Sequence, residues 1–147
     1  MRKPYHYVES GLDNVYLYNV NIISDIKGEQ TISIPRINEL HDVIASALLN
    51  KRGELTGKEV RFLRIHALFS QVELAQLIGK DGQTVGRWER GECPIDKSMD
   101  MLLRIAVAQK LGFSADITVF SQTVSLEPNN DNIKIDGANN QYSLIAA

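Results

Sequence analysis

The side chains best equipped for catalysis or metal ligation are His6, His41, His66 and Cys93. They are scattered along the chain, and Cys93 stands beside Pro94 with no base near it in sequence. Catalysis needs acid, base or nucleophile groups that converge, so no independent enzymatic activity is expected. The lone thiol excludes an intrachain disulfide and a zinc site built on paired thiolates. No metal and no cofactor is expected. A different kind of chemistry is concentrated in Gln83, Thr84 and Arg87. A glutamine amide pairs bidentately with the adenine edge and an arginine with the guanine edge, each such pair discriminating by ~1–3 kcal/mol.

Those three residues need a short, well-positioned helix. Thr56-Gly57-Lys58-Glu59 has the capping-box form, in which hydroxyl and carboxylate satisfy orphan backbone donors, and Val60, Leu63 and Ala67 follow at helical spacing. Ser70-Gln71-Val72-Glu73 repeats the box, so one helix must end near Phe69 and another begin at once, ending at Gly79. Asp81 can cap a third, Gly82 to Arg90, stopped by Gly91 and Pro94. A last helix is expected from Asp96 to Lys110. Two short helices joined by a glycine turn are the core of a helix-turn-helix, whose crossing imposes spacing rules. With Gln71 first, Ala75 falls fifth, where only a small side chain admits the crossing helix. Gly79 falls ninth, where the turn wants positive φ. Val85 and Trp88 fall fifteenth and eighteenth, as apolar contacts between the helices. Gly82 and Gly86 are costly in a helix, up to ~1 kcal/mol each against Ala. Close approach to a DNA backbone, or a frayed helix, would account for them.

The stretch from Gln71 to Gly91 resembles the lambda-repressor-like (Cro-type) helix-turn-helix domains, in which five helices pack around the motif. The resemblance implies that Gln83, Thr84 and Arg87 face base edges in the major groove of double-stranded DNA. It also implies a phosphate contact for Gln71 at a helix start, where the dipole favours anions. Lys80, Arg64 and Arg90 are further phosphate candidates. Glu89 would repel a phosphate, so it is read as an anchor for arginine or backbone groups inside the domain.

Outside the motif, Tyr5-His6-Tyr7-Val8-Glu9-Ser10-Gly11-Leu12-Asp13-Asn14-Val15, Leu40-His41 with Ile44-Ala45, and Leu55-Thr56-Gly57-Lys58-Glu59-Val60-Arg61-Phe62-Leu63-Arg64 are similar to the MqsA-type (HigA-like) antitoxins of bacterial type II toxin–antitoxin pairs. The likeness runs over roughly residues 5 to 110. It implies a homodimer that represses its own operon at a palindromic operator, with an N-terminal part that contacts a toxin protein. Many relatives hold zinc there with paired cysteines; here Ser10 stands in the Glu9-Ser10-Gly11-Leu12 context and no thiol precedes Cys93, so zinc is not expected. A rival reading is a stand-alone helix-turn-helix regulator that senses a small molecule through its N-terminal strands or its tail.

With 147 residues, 44% hydrophobic and 23% charged, the chain suits one compact unit with appendages. No apolar run approaches the ~18 residues of a membrane span, and Met1-Arg2-Lys3-Pro4-Tyr5 leads into no apolar stretch. A soluble cytoplasmic protein with no membrane partner is expected. Lys51 to Gly91 carries eight cations and five anions, a net of +3, which leaves −5 for the rest of a chain whose net charge is −2. A basic middle between acidic flanks suits one face made for phosphates.

Tyr5 to Ile34, with alternation in Val15-Tyr16-Leu17-Tyr18 and Thr31-Ile32-Ser33-Ile34 around an Asp25-Ile26-Lys27-Gly28 turn, reads as two or three strands. From Pro35, Ile37, Leu40, Ile44 and Leu48 mark an amphipathic helix closed by Arg52-Gly53. After Phe113, Ile117-Thr118-Val119-Phe120 and Ile133-Lys134-Ile135 read as strands around an Asn-rich turn at residues 127–132, with a second turn signal at Asn139-Asn140. That tail is either a hairpin or partly mobile. The expected fold is therefore α+β and mainly α: residues 1–50 as strands plus linker helix contacting a partner, 51–113 as the DNA-binding domain, and 114–147 as the tail.

Overall fold

The computed structural model describes residues 3–24, 26–129 and 131–145. Met1, Arg2, Asp25 and Asn130, which belong to the basic start and to two of the turn signals above, lie outside the described residues. The fold is α+β and mainly α, and it divides into two units, Met1–Ile44 with Asp131–Ala147, and Ala45–Asn130. No helix among the described residues is long and apolar enough to cross a membrane.

In the first unit, β1 (Tyr5–His6) runs antiparallel to β2 (Val15–Tyr18), with Tyr5 opposite Leu17. A separate two-stranded ribbon pairs β3 (Asn21–Ser24) with β4 (Gln30–Ser33). The alternation in β2 puts Val15 and Leu17 in the core and leaves Tyr16 and Tyr18 half-buried. The helix α1 (Ile37–Leu49) starts after a turn at Pro35-Arg36, and Leu40 and Ile44 are buried along it. Buried Tyr7 hydrogen-bonds through its hydroxyl to His41 Nε2 at 2.8 Å. Burial is the first cause that pushes the Tyr7 phenol up to about 12.

In the second unit come α2 (Gly57–His66), α3 (Gln71–Leu77), α4 (Gly82–Glu89), α5 (Lys97–Leu111) and α6 (Ile117–Val124). Each of the first four expected starts is capped as its sequence implies: Thr56 and Ser70 form complete boxes, and Asp81 and Asp96 each accept a backbone N–H three residues on. The core gathers Val60, Leu63, Leu74, Ala75, Val85, Leu103 and Val107. One polar cluster sits inside it. Arg104, fully buried, donates to Asp100 Oδ1 at 2.6 Å and to the carbonyls of Lys51 at 2.8 Å and Gly53 at 2.6 Å. Asp100 Oδ2 accepts from the Leu55 N–H at 2.6 Å, so the pair fastens the loop between α1 and α2.

The tail differs from the reading of two strands around an Asn-rich turn. Ile117-Thr118-Val119-Phe120 is the first half of α6, not a strand. Asp116 caps that helix by accepting the Thr118 N–H at 2.9 Å, and Phe120 and Val124, four apart, both bury on one face. Capping and burial together override the strand preference of a β-branched run. The segment at β5 (Ile133–Asp136) is a strand as expected, but it pairs in parallel with β2, Val15 opposite Ile133 and Leu17 opposite Ile135. With β6 (Ser143–Leu144) antiparallel to it, the sheet order is β1-β2-β5-β6, so the end of the chain completes the N-terminal sheet and forms no hairpin with residues 117–120.

Candidate nucleic-acid interface

Helices α3 and α4 pack on each other. Ala75 and Val85 are fully buried, and Trp88 is 5% exposed, so the indole belongs to the core. Gly79 turns the chain with φ of 74°, in the left-handed region that a glycine enters at no steric cost. Gly82 has an explanation that involves neither DNA nor fraying. A Cβ on Gly82 would stand 2.9 Å from Val72 Cγ2; one on Gly86 would meet the Arg90 guanidinium at 2.9 Å and the Gln71 amide oxygen at 3.4 Å. Gly82 thus makes room for Val72 of α3, whereas the groups nearest Gly86 are the movable ends of two long side chains.

The underside of α4 is tied down by charge. Glu89, on the last turn, accepts from Arg64 of α2 twice, from Nε at 2.6 Å and Nη2 at 3.0 Å. Arg64 Nη1 donates to the Phe69 carbonyl at 3.1 Å, and the Gln71 amide donates to Glu89 at 3.2 Å. Three helices thus meet at one carboxylate, the anchoring role expected of Glu89. Arg64 is placed differently from the other phosphate candidates: its side chain is 13% exposed and its guanidinium is spent inside the domain. The sequence offered no local signal for this pairing, because its two members stand 25 residues apart.

The opposite side of α4 is open. Gln83 and Arg87 are exposed, as is Lys80 in the turn before the helix. Thr84 is half-buried, and its hydroxyl donates to the Asp81 carboxylate at 2.8 Å while its N–H takes the cap at 2.8 Å. These bonds hold the Asp81 carboxyl below its ordinary value, the backbone bond first; hydrogen bonds from Ser70 do the same for Glu73. Gln71 is half-buried at the first position of α3. Arg90 is exposed and paired with Glu92, Nε to Oε1 at 3.1 Å. The surface thus groups Lys80, Gln83 and Arg87 on and before α4 as exposed donors, with Gln71 beneath them on the bonded frame. The residues weighed for catalysis stay on separate elements: His6 stacks on Tyr16 with ring centroids 4.6 Å apart, His41 meets Tyr7, and His66 lies beside Phe62 at 6.0 Å.

Residues 60–114 match the protein-family model described as Helix-turn-helix. The match runs from inside α2 to just beyond α5 and leaves out the strands, α1 and α6. Searches of curated proteins and of solved structures found no match to the chain. The matched segment is a helix-turn-helix of the kind that binds double-stranded DNA in transcription regulators.

Proposed function

We propose that this protein is a sequence-specific transcriptional repressor that lays α4 in the major groove of its operator. In this reading it is the antitoxin of a type II toxin–antitoxin pair and represses its own operon as a homodimer. The observation that carries the DNA-reading assignment is the two-sidedness of α4. Val85, Gly86 and Trp88 are buried, Glu89 is bonded to two other helices, and Gln83 and Arg87 project outward from the same rigid frame. A helix held by its back and open at its N-terminal front is what groove reading requires.

The roles follow from chemistry. Gln83 and Arg87 read base edges through bidentate hydrogen bonds. Thr84, whose hydroxyl proton is committed to Asp81, offers its methyl group to a thymine methyl and its oxygen as an acceptor. Lys80 and Arg90 supply charge to the phosphates, and Gln71 reaches one from the start of α3 with the helix dipole behind it. Arg64 acts from below by holding Glu89. The antitoxin part rests on the likeness of residues 5–15, 40–45 and 55–64 to MqsA-type proteins and on the division of the chain into two units, one of which carries the strands.

A gel-shift scan of the DNA upstream of the gene tests the first part. The expected result is a shift on an inverted repeat with half-sites about one helical turn, ~34 Å, apart; equal affinity for unrelated duplexes would sink it. Purification from the native host tests the second part. A small protein retained in stoichiometric amount and encoded beside this gene supports the antitoxin, whereas a clean preparation and a small-molecule-dependent shift would replace it with a ligand-sensing regulator.

A further inference from the structure

We infer that Gly57, at the start of α2, is a positioning residue for the reading helix: its missing side chain lets α2 seat directly on the backbone at the end of α4, which fixes the placement of Gln83 and Arg87. The inference rests on the proposed DNA reading and deepens it by naming what aligns the helix. Of the ten glycines in the chain, Gly57 alone would bring an added Cβ closer than 3.0 Å to backbone atoms, 2.2 Å from the Trp88 carbonyl oxygen and 2.8 Å from that of Glu89. The nearest neighbours of Gly53, Gly82 and Gly86 are side-chain atoms. A side chain can rotate aside, whereas a helical carbonyl moves only with its helix. The Trp88 carbonyl is further committed, since it accepts the N–H groups of Arg90 and of Gly91, the latter at 3.0 Å. Close carbon–oxygen contacts settle near ~3.3 Å, so a side chain at position 57 forces α2 and α4 apart by about 1 Å. The start of α2 is itself pinned: Thr56 caps it in a complete box with Glu59, which is buried and paired with Lys51 at 2.6 Å.

A displacement of that size matters at the end of α4. Arg87 adjoins Trp88 in sequence, and Gln83 lies one turn earlier on the same helix of eight residues. Binding groups must be held within ~0.5 Å of their productive geometry, so the Gln83 amide and the Arg87 guanidinium would lose alignment with base edges. The bonds from Arg64 and Gln71 to Glu89 run through flexible side chains and can follow such a shift. A lysine acts on phosphate as a point charge and tolerates it as well. Helix α4 would therefore stay attached but misplaced, and the loss falls on selectivity rather than on attraction to DNA as such. Helix propensity predicts the opposite outcome. Alanine is the better helix former, so local preference alone makes Gly57→Ala a stabilising change in α2.

Gly57→Ala in the full chain tests this with two readouts, one of them on the operator duplex found by the gel-shift scan and an unrelated duplex of equal length. Operator affinity is expected to fall roughly tenfold or more, while affinity for the unrelated duplex stays within about twofold. Trp88, the only tryptophan in the chain and 5% exposed, reports the displacement without DNA. Its fluorescence maximum should move to longer wavelength as the indole gains contact with water. Val107→Ala, which thins the core on α5, should lower the melting temperature and leave the ratio of the two affinities unchanged. Where Gly57→Ala melts too low, an excluded osmolyte favours the compact state for the same measurements. A Gly57→Ala chain that loses affinity for both duplexes equally, keeps the wild-type emission, or stays unfolded in the osmolyte overturns the inference. A wild-type chain with no preference for any operator refutes the DNA reading itself, and a wild-type preference that Gly57→Ala retains refutes this inference alone.

Discussion

Arg104 and Arg64 both close onto a carboxylate in the helical unit, and they differ in what surrounds the ion pair. Arg104 and Asp100 are each 0% exposed, and the remaining guanidinium donors go to loop carbonyls. Arg64 and Glu89 keep 13% and 4% exposure, and the spare capacity of Glu89 goes to Gln71, a residue at the proposed DNA surface. One clamp fastens a loop to the core; the other fastens the reading helix to its neighbours. The first should therefore affect stability alone, and the second both stability and DNA affinity.

The largest effect is expected at the enclosed clamp. Replacing Arg104 by Met strands Asp100 without its counter-charge, and breaking a buried pair in this way costs ~3–5 kcal/mol. Burial already pushes the Asp100 carboxyl up, and the Arg104 charge is the main influence pulling it back. Without that charge the folded-state value rises further above the unfolded one. Stability is then fully present below the unfolded value and lost as pH rises through the folded one. The deficit of Arg104→Met relative to wild type should accordingly shrink on going from neutral to acidic pH, as read by urea unfolding. A deficit that stays constant or grows on acidification would show that Asp100 is not the stranded group.

Arg64→Ala comes next. It removes charge-assisted hydrogen bonds at a site with some access to water, so a loss of ~1.5–3 kcal/mol of stability is expected. At temperatures where the variant stays folded it should bind operator and non-operator DNA more weakly by a similar factor, because Gln71 and α4 lose a common support. A variant of lowered stability and normal affinity would reduce this clamp to the same role as the other.

The surface donors sharpen the contrast from outside. Gln83→Ala and Arg87→Ala should leave the melting temperature unchanged, cost ~1–3 kcal/mol of operator binding and relax selectivity at particular bases. Lys80→Ala should weaken all sequences alike and flatten the salt dependence. Identical salt slopes and selectivities across the three variants would mean that base-reading and phosphate roles are not divided as proposed.

How much of this was legible in the sequence follows from how local each constraint is. The crossing of α3 and α4 is governed by spacing within Gln71–Trp88, and there Ala75, Gly79, Val85 and Trp88 stand where the rules put them. The caps at Thr56, Ser70, Asp81 and Asp96 are likewise decided within a few residues. Arg104 interrupts the apolar run Leu102 to Val107, and the i,i+4 spacing from Asp100 was visible, but its carbonyl partners near residue 51 belong to a loop with no period. The parallel pairing of Val15 with Ile133 joins opposite ends of the chain and leaves no mark on either strand. In the tail, four residues of strand-like composition became helix because an Asp cap and two buried side chains outweighed local preference.

The smallest expected effect tests whether the frame of the reading helix begins at its caps. Hydrogen bonds from Ser70 and Thr84 hold the carboxyls of Glu73 and Asp81 below their ordinary values of 4.5 and 3.8. For groups lowered in the folded state, the contribution is present above the unfolded value and lost as pH falls through the folded one. Acidification from about pH 5 toward about pH 3 should therefore loosen the starts of α3 and α4. Glutamine and asparagine keep the capping geometry and do not titrate. A Glu73→Gln, Asp81→Asn double variant should thus melt near the wild type at neutral pH and lose less stability over that acidic range, as measured by circular dichroism. An acid response as steep as that of the wild type would place the titrating groups elsewhere and detach the caps from the stability of the helix pair.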